Sequence, residues 1–118
     1  MHIRPTPFPG AVLLVSLAAS SAAAEADLEA GRTIFNETAQ PPCAVCHTLA
    51  DAGAEGEVGP NLDEFKPTVD QVRTAVSGGI GVMPAFEEIL SAEEIEAVSR
   101  YVAEVTGGTA ADEHADAQ

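Results

Sequence analysis

The stretch Cys43-Ala44-Val45-Cys46-His47 constrains this chain more tightly than anything else in it. Two thiols two residues apart, followed at once by an imidazole, form the C-x-x-C-H pattern of covalent c-type haem attachment. If the stretch is helical, residues three and four apart share a face, so Cys43, Cys46 and His47 project together while Ala44 and Val45 point elsewhere. The thiols then reach the two vinyl groups on one porphyrin edge as thioethers, and the imidazole falls beneath the iron as an axial ligand. Rival chemistries use the same residues. A disulfide is the default for two cysteines in an exported chain. A thiol redox module requires a βαβ context that the chain lacks. Structural zinc requires four ligands, and only Cys43, Cys46 and His47 converge.

The 118 residues suit a single domain, which the N-terminus shortens further. His2 and Arg4 precede an apolar run from Ala11 to Ala19, and Ala22-Ala23-Ala24 fits an A-x-A-like cleavage signal. We therefore expect residues 1–24 to be a secretory signal peptide, with an alternative cleavage after Ala26. A membrane anchor would need about 20 apolar residues, and Pro9 and Ser20-Ser21 bracket too short a run. The expected product is soluble and exported, in the periplasm of a two-membrane host. Arg4 lies in the leader, so the formal charge of −14 for the chain becomes −15 for the product. Nucleic acid and anionic membranes are disfavoured as partners, since both need a basic footprint. Solubility alone explains such acidity, and the sharper reading is steering toward a basic patch on a partner protein.

From Asp27 to about Asn36, Leu28, Gly31 and Phe35 fall at helical spacing with Ile34 beside them, and Asp27 serves as the expected cap. Glycine inside a helix costs about 1 kcal/mol relative to alanine. Gly31 is therefore expected to admit a second helix at close range, with Tyr101 as its natural neighbour. Pro41-Pro42 ends the helix and gives an extended entry into Cys43. Thr48 to Lys66 has little periodicity, and a structureless stretch of that length is uncommon unless functional. Wrapping a haem supplies the function. Within it, Gly59-Pro60-Asn61-Leu62 offers a backbone carbonyl to fix the histidine tautomer and a leucine to lie against the porphyrin, although an ordinary polar turn has the same composition. Thr68 and Gln71 form a capping box for a helix to Ser77, with Val69, Val72 and Val76 on one face. Ser91 and Glu94 form a second box, opening a helix with Ile95, Val98, Val102 and Val105. Thr106 to Gln118 lacks an apolar face and is expected to be a disordered acidic tail, which makes His114 a poor ligand candidate.

An iron held by one histidine needs a second ligand or an open site, and the chain beyond the leader has one methionine, Met83. A lone methionine usually fills core gaps, but Met83-Pro84 lies in a Gly- and Pro-rich loop. His/Met ligation blocks the sixth site and favours electron transfer over oxygen chemistry. Cys43 to His47, Gly59 to Leu62, Met83-Pro84 and the last helix, in that order, resemble a class I cytochrome c over about Asp27 to Val105. The resemblance implies an all-α fold around one covalent haem c, with residues 25–105 as the domain and the first helix crossing the last. It implies Cys43 and Cys46 as thioether sites, His47 and Met83 as axial iron ligands, and the Pro60 carbonyl accepting from His47. The basic ring of mitochondrial members is missing. More narrowly, Thr38 through Glu64 and Gly78 through Pro84 resemble the cytochrome subunit of periplasmic sulfite dehydrogenases, where a molybdenum enzyme is the donor.

The expected function is a monohaem carrier, not an enzyme, taking single electrons from a periplasmic dehydrogenase and passing them to a cytochrome or terminal oxidase. A haem enzyme or gas sensor with Met83 displaced from the sixth site is the alternative.

Overall fold

The first helix, α1, spans Ala18–Thr33 and runs directly into a π-helical turn, Ile34–Thr38. In this computed structural model the described residues are 2–5, 7, 10 and 18–108. Most of the expected leader run from Ala11 to Ala19 lies outside them, as does the expected tail beyond Gly108 with His114. Asp27 was expected to cap the first helix but lies inside it. Alanines at positions 18, 19 and 22–24, the strongest helix formers, carry the helix upstream. Even so, Ala19 to Asp27 are exposed. Packing begins at Leu28, which lies against the core.

The attachment stretch forms one helical turn, α2, Cys43–Cys46. Beyond it, β1 (Thr48–Leu49) pairs antiparallel with β2 (Ala54–Glu55), Thr48 opposite Glu55 and Leu49 opposite Ala54. A 3₁₀ turn, Ala50–Ala52, and Gly53 in the left-handed region (φ 65°) connect them. Next come α3, Leu62–Phe65, and α4, Val69–Gly78. The stretch from Thr48 to Lys66, expected to be irregular, thus contains a hairpin and a short helix. Strands of two residues are too brief to display an alternating pattern.

The two capping boxes are formed as expected. Thr68 Oγ1 accepts from Gln71 N at 3.1 Å while the Gln71 side chain accepts from Thr68 N at 2.9 Å. Ser91 and Glu94 exchange the same pair of bonds at the start of α5, Ala92–Thr106. Thr106, assigned to the tail by sequence, completes α5. It is buried, and its hydroxyl donates to the Val102 carbonyl at 2.8 Å.

The core sits where α1 and the π turn cross α5, and α4 also packs against α5. Phe35, Leu49, Leu62, Val76, Phe86, Leu90, Val98 and Tyr101 fill it. Gly31 faces Tyr101 as expected: a Cβ there would overlap that of Tyr101 and stand 2.8 Å from the Ala97 carbonyl oxygen. The Phe35 and Tyr101 rings meet edge to face, centroids 6.2 Å apart. Among the described residues the all-α expectation is met, with the small hairpin and an isolated Ile80–Met83 bridge added to it.

Candidate haem site

Cys43 and Cys46 occupy the first and last positions of α2, so they share its face. His47 does not continue the helix. Its backbone is extended (φ −117°, ψ 139°), although its N–H still donates to the Cys43 carbonyl at 3.0 Å. The expectation of one helical face thus holds for the two thiols, whereas the imidazole leaves the turn by a change of backbone direction. Ala44, expected to point away, packs on the core, while Val45 is exposed.

The imidazole is then fixed from the opposite strand of chain. Gly59 N–H donates to the Cys46 carbonyl at 2.7 Å, which brings the backbone of residues 59 and 60 against the ring. Two glycines permit this approach. A Cβ on Gly56 would stand 2.6 Å from His47 N, and one on Gly59 would stand 2.5 Å from His47 Cε1. His47 Nδ1–H donates to the Pro60 carbonyl at 2.8 Å. A carbonyl only accepts, so in the neutral ring the proton resides on Nδ1 and the Nε2 lone pair is left free for a metal.

Both thiols are free and half-buried. Burial, the larger effect, and the neighbouring Cys46 push the Cys43 thiol up to about 11, overcoming an opposing backbone hydrogen bond. Among the described residues, no group of three or more His, Cys, Asp or Glu side chains is placed to hold a metal ion. The residues therefore fit a haem better than either thiol rival. Two thiols share a turn, one imidazole has a free Nε2, and glycines clear the approach.

Met83 lies in a tight turn of its own. Met83 N–H donates to the Ile80 carbonyl at 2.9 Å and Ile80 N–H to the Met83 carbonyl at 3.1 Å. Gly79, at φ 73°, closes the turn, because a Cβ there would stand 2.7 Å from the Met83 carbonyl oxygen. The Met83 side chain is half-buried against the core, while Val82 beside it is 89 % exposed. Leu62 is buried in the core as the first residue of α3. Val45 and Val58 are exposed on either side of His47 in the sequence, so apolar surface borders both the attachment turn and the methionine turn.

Sequence reasoning missed Asp51. Tyr101 O–H donates to Asp51 Oδ2 at 2.7 Å, and Arg32 donates to the same oxygen from Nη2 at 2.8 Å. The Arg32 guanidinium also lies 5.9 Å from the Tyr101 ring centroid. One carboxylate thus ties the hairpin after the attachment turn to the α1–α5 crossing. The Tyr101 bond, then Arg32, holds the Asp51 carboxyl below its ordinary range. Burial and then Asp51 raise the Tyr101 phenol. No local pattern signals a contact between residues fifty positions apart.

Comparison with known proteins gives a consistent picture. The family model described as "Cytochrome C oxidase, cbb3-type, subunit III" matches residues 26–102. Chloroplastic cytochrome c6 of Chlamydomonas reinhardtii is 36% identical over 101 residues, 77% of this chain and 62% of that protein. The chain thus spans somewhat under two thirds of the length of that relative. Cytochrome c6 of Microcystis aeruginosa is 37% identical over 76 residues, 61% of this chain and 89% of that protein. The crystal structure of the c-type cytochrome SorU from Sinorhizobium meliloti is 62% identical, with TM-score 0.67 over 73% of this chain and 97% of that one.

Proposed function

The chain belongs to the c-type cytochrome family, and we propose that it is an exported carrier whose iron is held between His47 and Met83. Its relatives are cytochromes rather than enzymes, and the class carries one covalent haem c that supplies reversible one-electron chemistry when bound. The observation that carries the ligand reading is the bond from His47 Nδ1–H to the Pro60 carbonyl, which presents Nε2 as a lone-pair donor. Cys43 and Cys46 anchor the cofactor edge in this reading. Leu62 would contact it from the core, and Met83 would supply the second iron ligand.

For partners, we infer a periplasmic dehydrogenase as donor, specifically a sulfite dehydrogenase-like molybdenum enzyme, and a cytochrome or terminal oxidase as acceptor. The support is the likeness of Thr38 through Glu64 and Gly78 through Pro84 to the cytochrome subunit of sulfite dehydrogenases. Those two stretches contain every candidate site residue. Contact is made around the exposed Val45, Val58 and Val82, through a transient interface under about 1,200 Å². Export is supported by the leader pattern and by the exposure of Ala19 to Asp27, which lets cleavage after Ala24 leave the packed part of α1 intact. No described helix is long and apolar enough to cross a membrane.

Mixing the oxidised holoprotein with sulfite and a molybdenum sulfite dehydrogenase tests the donor. Reduction within the mixing time of a stopped-flow experiment is expected. Reduction only on the timescale of a control lacking the dehydrogenase contradicts this donor.

A further inference from the structure

We propose that Asn61 is a positioning residue that tunes the reduction potential by holding the Pro60 carbonyl on His47. The proposal rests on His47 being an axial ligand. The Pro60 carbonyl belongs to the peptide between residues 60 and 61, so its direction follows from the conformation on either side. Upstream, Gly59 N–H is anchored on the Cys46 carbonyl at 2.7 Å, and the proline ring fixes φ at residue 60. Downstream the anchor is the Asn61 side chain. Its Oδ1 accepts from Asp63 N at 3.0 Å and from Glu64 N at 3.3 Å, and so caps α3.

Leu62 is also buried in the core and Asp63 Oδ2 accepts from Ala50 N at 2.8 Å, but it is the Asn61 side chain that satisfies the first amides of α3 next to the Pro60 peptide. The extended backbone of Asn61 (φ −68°, ψ 112°) is the one from which a cap side chain reaches these amides. Without the cap, Asn61 loses the side-chain bonds that set its backbone, and the peptide carrying the Pro60 oxygen is held less firmly on Nδ1–H. That hydrogen bond makes the imidazole a stronger donor, which favours ferric over ferrous iron. Loosening it therefore shifts the couple toward the reduced form and raises the potential.

The test uses full-length holoprotein and redox titration against a fixed mediator. Asn61→Ala removes the acceptor without changing charge, and is expected to shift the equilibrium about two- to tenfold toward the reduced form, the range of one hydrogen bond. Asn61→Ser keeps a short acceptor and should stay near the parent. Ser91→Ala, which removes the cap of α5, matches the stability loss and should leave the potential unchanged. In proton NMR of the ferrous protein, the His47 Nδ1–H signal should exchange faster in Asn61→Ala alone. If that variant does not assemble, Asn61→Gly lacks the acceptor at smaller cost to the helix and makes the same comparison.

An unshifted potential in the variant lacking the acceptor, or an equal shift in Asn61→Ser or Ser91→Ala, overturns the proposal. Failure of the underlying ligand reading looks different. In that case His47→Ala would retain the low-spin spectrum of the parent.

Discussion

At the level of single residues, Asp51 does two jobs with one oxygen, accepting from Tyr101 and from Arg32. Tyr101→Phe removes the phenolic donor from an otherwise buried ring, and should cost about 1–2 kcal/mol in denaturant unfolding, given that Asp51 is partly solvated. The pH dependence follows from the lowered Asp51 carboxyl. Its folded-state value lies below its unfolded one, so its stabilisation is complete above the ordinary aspartate value of about 4 and is lost as pH falls through the lower folded value. The stability gap between the parent and Asp51→Asn should accordingly narrow on acidification below about pH 4. A gap that stays constant down to acid unfolding would show that the carboxylate charge contributes nothing. Met83 makes a separate prediction: Met83→Ala should abolish the weak far-red band of ferric haem with methionine bound. An unchanged ferric spectrum would remove Met83 from the ligand set.

Among the elements, those with local chemical signals were readable in the sequence. Thr68 with Gln71 and Ser91 with Glu94 announce α4 and α5 because each box satisfies two backbone donors within four residues. Gly31 announced the crossing because an interior helical glycine is costly without a neighbour to admit. The shortest elements were not readable, because they span too few residues to show a period. The β1–β2 hairpin has two-residue strands, and α3 depends on Asn61 rather than on periodicity. The upstream extension of α1 follows helix propensity, whereas the sequence expectation followed amphipathic pattern, and alanine supplies only the former. At the crossing, Gly31→Ala drives a Cβ into Tyr101 and toward the Ala97 carbonyl. It should destabilise the holoprotein by about 1–3 kcal/mol. Equal or greater thermal stability of the variant would mean that α1 and α5 can separate without penalty.

Over the whole molecule, the basic side chains are largely spent internally. Arg32 pairs with Glu29 and Asp51, Arg73 with Asp70 and Glu96, and Arg100 with Glu96. The exposed carboxylates near the candidate site, Glu55, Glu57 and Glu64, have no such pairing among the ion pairs of the described residues. Association with a basic redox partner should therefore slow about tenfold or more between low and high ionic strength. Rates independent of salt would reduce the acidity to a solubility feature. The site itself was legible to the extent that its chemistry lies in contiguous residues. Cys43, Cys46, His47 and the Pro60 carbonyl stand out as candidates in the sequence, and the shared turn of the thiols and the His47–Pro60 bond are present, while the changed backbone direction at His47 and the Asn61 anchor needed three dimensions.

On the reading proposed above, His47 and Met83 hold one haem for electron transfer. The measurement that decides it is the optical spectrum of the purified holoprotein in both oxidation states, with carbon monoxide added to the ferrous form at neutral pH. A low-spin spectrum with a weak far-red ferric band and no change on adding carbon monoxide is predicted. A high-spin ferric spectrum with ready carbon monoxide binding would instead show an open sixth site and remove Met83 from the iron.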